Sequence, residues 1–223
     1  MDPSLSSIKA IGFDLDRTLY TDTPKMRGVI LNSILTKVLE LKPKLGTLKR
    51  VSDIYALRDS NMTTWKEFLN SLGIAHSEEI VQTCLESSGF IKMIPKDPKL
   101  SRLLQCLSQK YYLFIISGST KNYSIAKLQK IGIDPTIFKF LLFADDKHFK
   151  SKTNPHNFEY FLSKSPFDPN EHTYIGDNHF TDIQIPKSIG FKTVAIGSTC
   201  PIADFSLNHI HKIADLFLND RHG

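Results

Sequence analysis

Acidic and hydroxyl side chains stand where several apolar runs of this sequence end. Each run has the length of a buried strand, and a lysine comes soon after the third one. The polar residues are Asp14, Ser117, the pair Asp145 and Asp146, Lys152 and Asp177. Because ligands of an open parallel sheet bind beyond the carboxyl ends of its strands, these side chains are expected to meet at one edge. Aspartate is common in turns, so one such residue would indicate little, whereas the whole set indicates a site.

Phosphoryl transfer is the chemistry that such a set favours. Neighbouring carboxylates repel each other and need a cation, and ligands that are all oxygen suit a hard ion such as Mg²⁺. The ion and a lysine can together neutralise a phosphate, which would otherwise repel a carboxylate nucleophile. Aspartate is an established covalent nucleophile. Positioning and charge stabilisation supply the rest of the catalysis.

Alternating strands and helices are expected to position these residues. Helical patterns alternate with strand-like runs after Pro95, and this alternation predicts a parallel sheet with helices on both faces. The predicted strands span residues 8–13, 111–116, 138–143, 173–175 and 192–196. The fold class is therefore α/β, with a Rossmann-like doubly wound parallel sheet core formed by residues 1–21 and 96–223. Residues 22–95 carry only helical spacing and predict an inserted all-helical domain.

Capping residues mark the expected helices of the insert. Thr23 and Pro24 form a good N-cap and first helical position. A second amphipathic helix is expected over residues 45–55, and a third begins after the capping-box residue Thr64. Ser77 can cap a fourth helix that ends near Gly89.

Composition excludes several other classes of protein. The 223 residues are 41% hydrophobic with a net charge of +5, as in an ordinary globular protein. The apolar runs are too short for a membrane span, and no basic stripe is interleaved with aromatic residues, so neither a membrane nor a nucleic-acid partner is predicted. The scattered residues Cys84, Cys106 and Cys200 argue against disulfides and zinc. With no signal peptide apparent, a cytoplasmic location is expected. The oligomeric state stays open.

Four stretches of the sequence, in order, resemble the motifs of the haloacid dehalogenase-like hydrolases. Residues 13–20, FDLDRTLY, resemble the first motif, DxDxT after a strand. Residues 115–118, IISG, resemble the second, an apolar strand that ends in Ser or Thr. Lys152 ahead of a helix resembles the third, and residues 176–182, GDNHFTD, resemble the fourth, GDxxxxD. Each motif alone has limited specificity, whereas all four in order on the expected elements are highly specific.

This resemblance implies a catalytic pair and a metal site. Asp14 would be the nucleophile that forms an aspartyl-phosphate. Asp16 would protonate the leaving oxygen and then deprotonate the attacking water. Mg²⁺ would be held by the Asp14 carboxylate, the backbone carbonyl of Asp16 and Asp177.

The resemblance also implies groups that bind the phosphate. Ser117, the amide of Gly118 and Lys152 would contact phosphoryl oxygens, while Asp182 would orient Lys152 or a water on the metal. The helical insert resembles the family's C1-type cap, which closes over the substrate and excludes water.

The expected function is hydrolysis of a small phosphate monoester, either a nucleotide or a sugar phosphate. Leu19 and Tyr20 resemble the end of the first motif in pyrimidine nucleotidase-like members, which favours nucleoside monophosphates. A phosphosugar mutase and a non-catalytic binding protein are the alternatives. Removal of halide is disfavoured because dehalogenases of this family typically lack the second aspartate, Asp16. Arg17, His179, Asp145 and Asp146 have no assigned role, and the candidate specificity residues of the insert are Arg27, Arg58, Asp59 and Asn61.

Overall fold

A computed structural model describes residues 5–43 and 65–218 of the chain. The chain divides into two compact units, one formed by Met1–Thr21 with Pro95–Gly223 and the other by Asp22–Ile94. The second boundary lies one residue before the predicted one. The predicted helix over residues 45–55 lies outside the described residues. So do Thr64, the predicted cap of the third helix, and the candidates Arg58, Asp59 and Asn61.

The larger unit contains a six-stranded sheet in which all neighbouring strands are parallel. The strands are β1 Ala10–Phe13, β2 Tyr112–Ser117, β3 Phe140–Phe143, β4 His172–Gly176, β5 Lys192–Ile196 and β6 Phe205–Leu207. Their order across the sheet is β3-β2-β1-β4-β5-β6. The chain therefore winds outwards in both directions from β1, and the predicted doubly wound fold is confirmed. The direction of winding reverses between β1 and β4, where the rule for open sheets places a ligand.

Helices connect the strands and make up the smaller unit. In the described residues they are α1 Pro24–Leu41, α2 Trp65–Ser71, α3 Ser77–Ser87, α4 Phe90–Met93, α5 Pro98–Ser108, α6 Lys121–Ile131, α7 His156–Leu162, α8 Ile185–Ser188 and α9 Ile213–Phe217. A π-helix spans His179–Gln184, and 3-10 helices span Pro135–Ile137, Pro169–Glu171 and Ile210–Lys212. The smaller unit is helical throughout its described residues, as its sequence pattern predicts.

Some helix boundaries follow directly from local chemistry. Thr23 caps α1 by accepting a hydrogen bond from the amide of Met26 at 3.2 Å. Gly132 ends α6 in the left-handed region, with φ of 97°, where glycine is favoured. Pro186 lies in the first turn of α8, a position where proline is tolerated.

Aromatic side chains from neighbouring strands pack over Gly12 in the middle of the sheet. A Cβ atom at Gly12 would lie 2.1 Å from Phe114 of β2 and 2.6 Å from Tyr174 of β4. The Phe114 ring stacks on Phe161 of α7 at a centroid distance of 3.8 Å. The Tyr174 hydroxyl donates to the Ile116 carbonyl at 2.8 Å. This packing fixes the relative positions of β1, β2 and β4, whose carboxyl ends carry the candidate site.

The smaller unit has its own apolar core. Leu31, Ile34 and Val38 from one face of α1 pack with Phe68 and Leu69 of α2. Their spacing of three to four residues along α1 is the signature of a buried helical stripe.

Candidate active site

The carboxyl ends of β1, β2 and β4 bring three sequence-predicted residues to the switch point of the sheet. Asp14 directly follows β1, Ser117 is the last residue of β2, and Asp177 directly follows β4. The amide of Asp14 donates to the Ile175 carbonyl at 2.9 Å, which continues the pairing of β1 with β4 up to the aspartate. Thr18 closes the loop by donating its hydroxyl to Asp14 Oδ2 at 3.1 Å.

Lys152 links two of the aspartates. Its ammonium group forms an ion pair with Asp14 and another with Asp182, the latter at 2.8 Å. Burial opposes the charged form of Lys152, but the two carboxylates outweigh it and hold its pKa well above the ordinary value. The lysine is therefore charged and fixed beside Asp14.

A group of three carboxylates could hold a metal ion. Oxygen atoms of Asp14, Asp177 and Asp182 all lie within 4.8 Å of one another. Arg17 contacts the outer side of this group, with its Nε 3.2 Å from Asp177 Oδ2. Clustered carboxylate oxygens suit a hard divalent cation, so the residues present fit Mg²⁺.

Burial disfavours the ionised forms of Asp14 and Asp177 when no cation is bound. It raises the pKa of Asp14 to about 7 from 3.8; Lys152 opposes this rise, and Asp182 and Asp16 add to it. Burial also raises the pKa of Asp177, against the influence of Arg17. In the protein without a cation, Asp14 therefore binds a proton at a pH where an ordinary aspartate is ionised.

A cation should compete with that proton, which gives a testable pH dependence. Because the pKa of Asp14 is higher in the folded state, its contribution to stability is present below the unfolded value and is lost as the pH rises towards 7. Mg²⁺ should therefore raise the melting temperature more at about pH 8 than at about pH 5.5. Thermal unfolding of EDTA-treated protein, with and without added Mg²⁺, measures this. An equal rise at both pH values would contradict it, and Asp14→Asn should reduce the difference to the part that Asp177 contributes.

Asp16 lies in a different environment from the three clustered aspartates. Its Oδ1 accepts hydrogen bonds from Tyr20 and Lys127, and its Oδ2 accepts one from Ser119 at 2.9 Å. Burial opposes ionisation of Asp16, but Lys127 and these hydrogen bonds hold its pKa below the ordinary value. Asp16 is therefore an ionised carboxylate with three donors, in the metal-free protein.

Sequence reasoning missed Lys127 and Ser119. Tyr123, Lys127 and Ile131 follow one another at intervals of four along α6, and all three are buried. A lysine in the apolar stripe of a helix was the available signal, since buried lysines normally have a carboxylate partner. The partner itself lies 111 residues away in sequence, so that no local pattern could identify it.

Asp182 is held rigidly against the loop that carries Asp177. Its Oδ2 accepts the amide of Asn178 at 3.1 Å, and its Oδ1 accepts the hydroxyl of Thr181 at 3.0 Å. A Cβ atom at Gly176 would lie 2.3 Å from the Cβ of Asp182, so only glycine fits at this position. The glycine of the GDxxxxD pattern thus leaves room for the last aspartate of the same pattern.

Replacing that glycine should displace Asp182. Gly176→Ala is expected to lower the free energy of unfolding by about 1–3 kcal/mol, the usual cost of overpacking a core. Gly28→Ala is the matched control, because a Cβ there meets nothing within 4 Å and alanine favours the helix α1. Urea denaturation should show a lower free energy of unfolding for Gly176→Ala and an unchanged or higher one for Gly28→Ala.

Gly118 lies beside Lys152, and Ser117 precedes it at the end of β2. Ser117 is fully buried, and its hydroxyl accepts the amide of Ser119 at 3.3 Å. A Cβ at Gly118 would lie 3.8 Å from Cδ of Lys152. Two of the residues that were predicted to bind phosphate, Gly118 and Lys152, are thus neighbours, and the third, Ser117, directly precedes Gly118 in the chain.

The residues without a predicted role have structural contacts. Asp145 accepts the amide of Lys121 at 2.7 Å, at the start of α6, and Asp146 accepts the amide of His148 at 2.8 Å in a turn. His179 contacts the hydroxyl of Ser198 at 2.9 Å. Arg17 has a left-handed backbone with φ of 63°, in addition to its contact with Asp177.

The fold and the site define an α/β protein with an aspartate-rich centre at the switch point of its sheet. The chain belongs to the haloacid dehalogenase-like hydrolase family, whose sequence profile matches residues 11–196. The resemblance predicted from the four motifs is therefore confirmed, and the protein is a hydrolase of this family. A search of curated proteins yields no match.

Solved structures of similar fold include both phosphatases and dehalogenases. The chain is similar to a HAD phosphatase from Thermococcus onnurineus, with 22% identity, a TM-score of 0.67 and coverage of 94% of this chain and 97% of that one. It is also similar to the magnesium-bound HAD-hydrolase YfnB from Bacillus subtilis, with 18% identity, a TM-score of 0.65 and coverage of 95% and 99%. It is similar as well to a 2-haloacid dehalogenase from Pseudomonas syringae, with 20% identity, a TM-score of 0.56 and coverage of 94% of this chain and 97% of that one. At these identities the likenesses show the fold alone.

Two further findings concern the chain as a whole. In residues 5–43 and 65–218, no helix combines the length and the apolar composition that crossing a bilayer requires. Cys84, Cys106 and Cys200 are free thiols. The predicted cytoplasmic location stays a prediction.

Proposed function

We propose that this hydrolase is a Mg²⁺-dependent phosphatase that acts on small phosphate monoesters through an aspartyl-phosphate. The observation that carries the proposal is that Asp14 and Asp16 lie in different surroundings although they are two residues apart. Asp14 pairs with Lys152 and shares the acidic group with Asp177 and Asp182, whereas Asp16 is held separately by its own donors. A nucleophile beside a cation site and a second carboxylate for proton transfer are what phosphate ester hydrolysis requires.

The metal would be held by Asp14, Asp177 and the backbone carbonyl of Asp16. Asp182 also lies within reach of the ion, although its ion pair with Lys152 suits the orienting role implied by the sequence. When bound, Mg²⁺ supplies positive charge that lets an anionic phosphate approach an anionic nucleophile.

The first half of the reaction transfers the phosphoryl group to the protein. A carboxylate oxygen of Asp14 attacks phosphorus, and the bond from phosphorus to the ester oxygen breaks. Asp16 is ionised in the metal-free protein, so it must first take up a proton, which a substrate bound as its monoanion can supply, and it then donates this proton to the departing oxygen. Lys152, the Ser117 hydroxyl and the Gly118 amide bind the phosphoryl oxygens, which stabilises the charge that they carry in the transition state.

The second half releases inorganic phosphate. Asp16, now ionised, accepts a proton from a water molecule that attacks phosphorus, and the bond to Asp14 breaks. This regenerates the Asp14 carboxylate and leaves a proton on Asp16 for the next turnover. In the metal-free protein Lys127 helps to hold the pKa of Asp16 below its ordinary value, which supports the role of its ionised form as the base in this half of the reaction.

Asp16 also favours phosphate esters over haloacids as substrates. A halide leaves as a stable anion and needs no general acid, whereas an alkoxide leaving group does. The structure surrounds Asp16 with Tyr20, Ser119 and Lys127, so its carboxylate is a built feature of the site. The similarity in fold to dehalogenases does not outweigh this chemistry.

The helical unit, Asp22–Ile94, is proposed to be the family's C1-type cap, which would supply substrate selectivity. Nucleoside monophosphates are the first substrates to test and sugar phosphates the second. Arg27, a candidate specificity residue, pairs with Asp22 at 2.9 Å and is half-exposed.

A panel of phosphorylated metabolites tests the proposal. The purified protein with Mg²⁺ should release inorganic phosphate from several esters, and EDTA should stop the release. Conversion of a sugar 1-phosphate into its isomer without phosphate release would instead indicate a mutase. Lack of turnover on the whole panel, with the fold intact, would indicate a binding protein.

A further inference from the structure

Lys127 is a buried lysine to which neither the family motifs nor the proposed reaction gives a role. Its side chain is 3% exposed. The ammonium nitrogen lies 2.5 Å from Asp16 Oδ1 and 2.9 Å from the Ser119 hydroxyl. The ring of Tyr123, one helical turn earlier, lies 4.2 Å from the same nitrogen. Because removing an ammonium group from water is unfavourable, this placement indicates that Lys127 is held by its contact with Asp16.

Three donors from separate parts of the chain converge on the Asp16 carboxylate. Tyr20 and Lys127 donate to Oδ1, and Ser119 donates to Oδ2. Lys127 also donates to Ser119, so that the lysine, the serine and the carboxylate form a closed ring of hydrogen bonds. A carboxylate with both oxygens engaged in this way has one preferred orientation.

The cations of the site divide its carboxylates into two sets. Lys152 pairs with Asp14 and Asp182, and Arg17 pairs with Asp177, which accounts for the acidic group. Among the described residues, the carboxylates that could share an ion are those three, without Asp16. In the described part of the chain, Lys127 forms its ion pair with Asp16. Lys127 thus binds the carboxylate to which the proposed function assigns proton transfer, and this carboxylate lies outside the acidic group.

We propose that Lys127 is a positioning residue that, together with Tyr20 and Ser119, holds the Asp16 carboxylate where it can exchange a proton with the leaving group. This inference rests on the proposed function of Asp16 as general acid and base. Lys127 itself contacts neither Asp14 nor the phosphate-binding residues in any hydrogen bond or ion pair of the described chain. A shift of about 1 Å in a catalytic group can lower a rate about a hundredfold, so the loss of this orientation should be measurable.

The dependence of the rate on the leaving group tests the role of Lys127. Phenyl phosphate needs a general acid more than 4-nitrophenyl phosphate does, because nitrophenolate is the more stable anion. For Lys127→Met, kcat/KM should fall about tenfold further on phenyl phosphate than on 4-nitrophenyl phosphate. Equal losses on the two esters, or no loss, would overturn the proposal. Lys130→Met, on the same helix, is the control and should leave both values unchanged.

Crystal structures of the wild type and Lys127→Met provide a readout that does not depend on turnover. The proposal expects the Asp16 carboxylate of the variant to leave the Ser119 hydroxyl or to occupy several orientations. An Asp16 that stays in place would overturn the proposal whatever the kinetics show. If Asp16 moves but the wild type hydrolyses neither ester, the positioning stands and the proposed phosphatase function fails.

Tyr20→Phe keeps the test available if Lys127→Met does not fold. It removes a second donor to the same oxygen while leaving the ring in place. The same change in leaving-group dependence is expected, in the same direction and smaller, because the lysine still holds the carboxylate. A Tyr20→Phe variant with the ester preference of the wild type would count against the proposal that these donors orient Asp16.

Discussion

Replacing Asp14 with asparagine should abolish phosphate ester hydrolysis while leaving the fold intact. The loss in kcat is expected to be at least about 10⁴-fold, because loss of a covalent nucleophile leaves only binding and charge stabilisation. Asparagine has nearly the same shape and can still accept the Thr18 hydroxyl that now bonds to Asp14. Lys152 keeps Asp182 as a partner after the change. The measurement is phosphate release with Mg²⁺, alongside circular dichroism and thermal unfolding.

The stability of Asp14→Asn provides a second test, because burial disfavours the ionised Asp14 carboxylate when no cation is bound. Asparagine carries no charge to be desolvated, so the metal-free variant should be at least as stable as the wild type near neutral pH. Asp215→Asn, at an exposed aspartate of the same unit, is the matched control and should retain full activity. Hydrolysis that persists in Asp14→Asn would refute the assignment of the nucleophile.

The sequence predicted most of the sheet because its signals are local. A short apolar run followed by an aspartate marks β1 with Asp14 and β4 with Asp177, and the parallel order follows from the helices between them. β6 was not predicted, since Phe205–Leu207 is a three-residue strand with a half-exposed pattern. The apolar spacing of residues 210–218 predicts a single final helix, whereas the structure has a 3-10 turn followed by the short helix α9, a difference of local winding that periodicity does not register.

The segment after the fourth motif, for which the sequence predicts one helix that ends near Gly190, shows a related limit. The structure has a π-helix over His179–Gln184, which is followed by α8 with Pro186 in its first turn. In this winding the Asp182 side chain returns to the Asn178 amide while its other oxygen reaches Lys152. The pattern GDxxxxD gives the residue types and their spacing, but only the fold shows how the last aspartate turns back towards the first strand.

The candidate site was predictable where residues belong to strand ends and was missed where they lie on a helix face. Asp14, Ser117, Lys152 and Asp177 all carry a local signal, a polar residue after an apolar run or ahead of a helix start. The local signal of Lys127, a lysine in the apolar stripe of a helix, does not identify its partner, because the pairing with Asp16 is a long-range contact. The electrostatic difference between Asp14 and Asp16, two residues apart, likewise depends on which distant lysine reaches each of them.

Replacing Lys152 with methionine should be the most damaging change to the stability of the site. The lysine pairs with Asp14 and Asp182, which are both buried, and methionine would leave these carboxylates facing each other without a cation. Removing one partner of a buried ion pair typically costs about 3–5 kcal/mol, and the partial exposure of Lys152 places the expected loss at about 2–4 kcal/mol. Activity should also fall by about 10²–10³-fold, because a charge that stabilises the phosphoryl oxygens is lost. Urea denaturation and phosphate release measure the two effects.

Mg²⁺ should restore part of the stability that Lys152→Met loses, and this rescue separates two explanations of the damage. If Asp14, Asp177 and Asp182 share a cation, the ion replaces the missing positive charge, so Mg²⁺ should stabilise the variant more than the wild type. If the lysine matters only for packing, methionine fills much of its volume and the ion should stabilise both proteins equally. Lys187→Met removes an exposed lysine that pairs with Asp204 at 3.1 Å, and should cost less than about 1 kcal/mol with or without the ion. A greater stabilisation of Lys152→Met by Mg²⁺ than of the wild type or Lys187→Met therefore requires a cation at the aspartates. Equal stabilisation of all three proteins would count against the metal site.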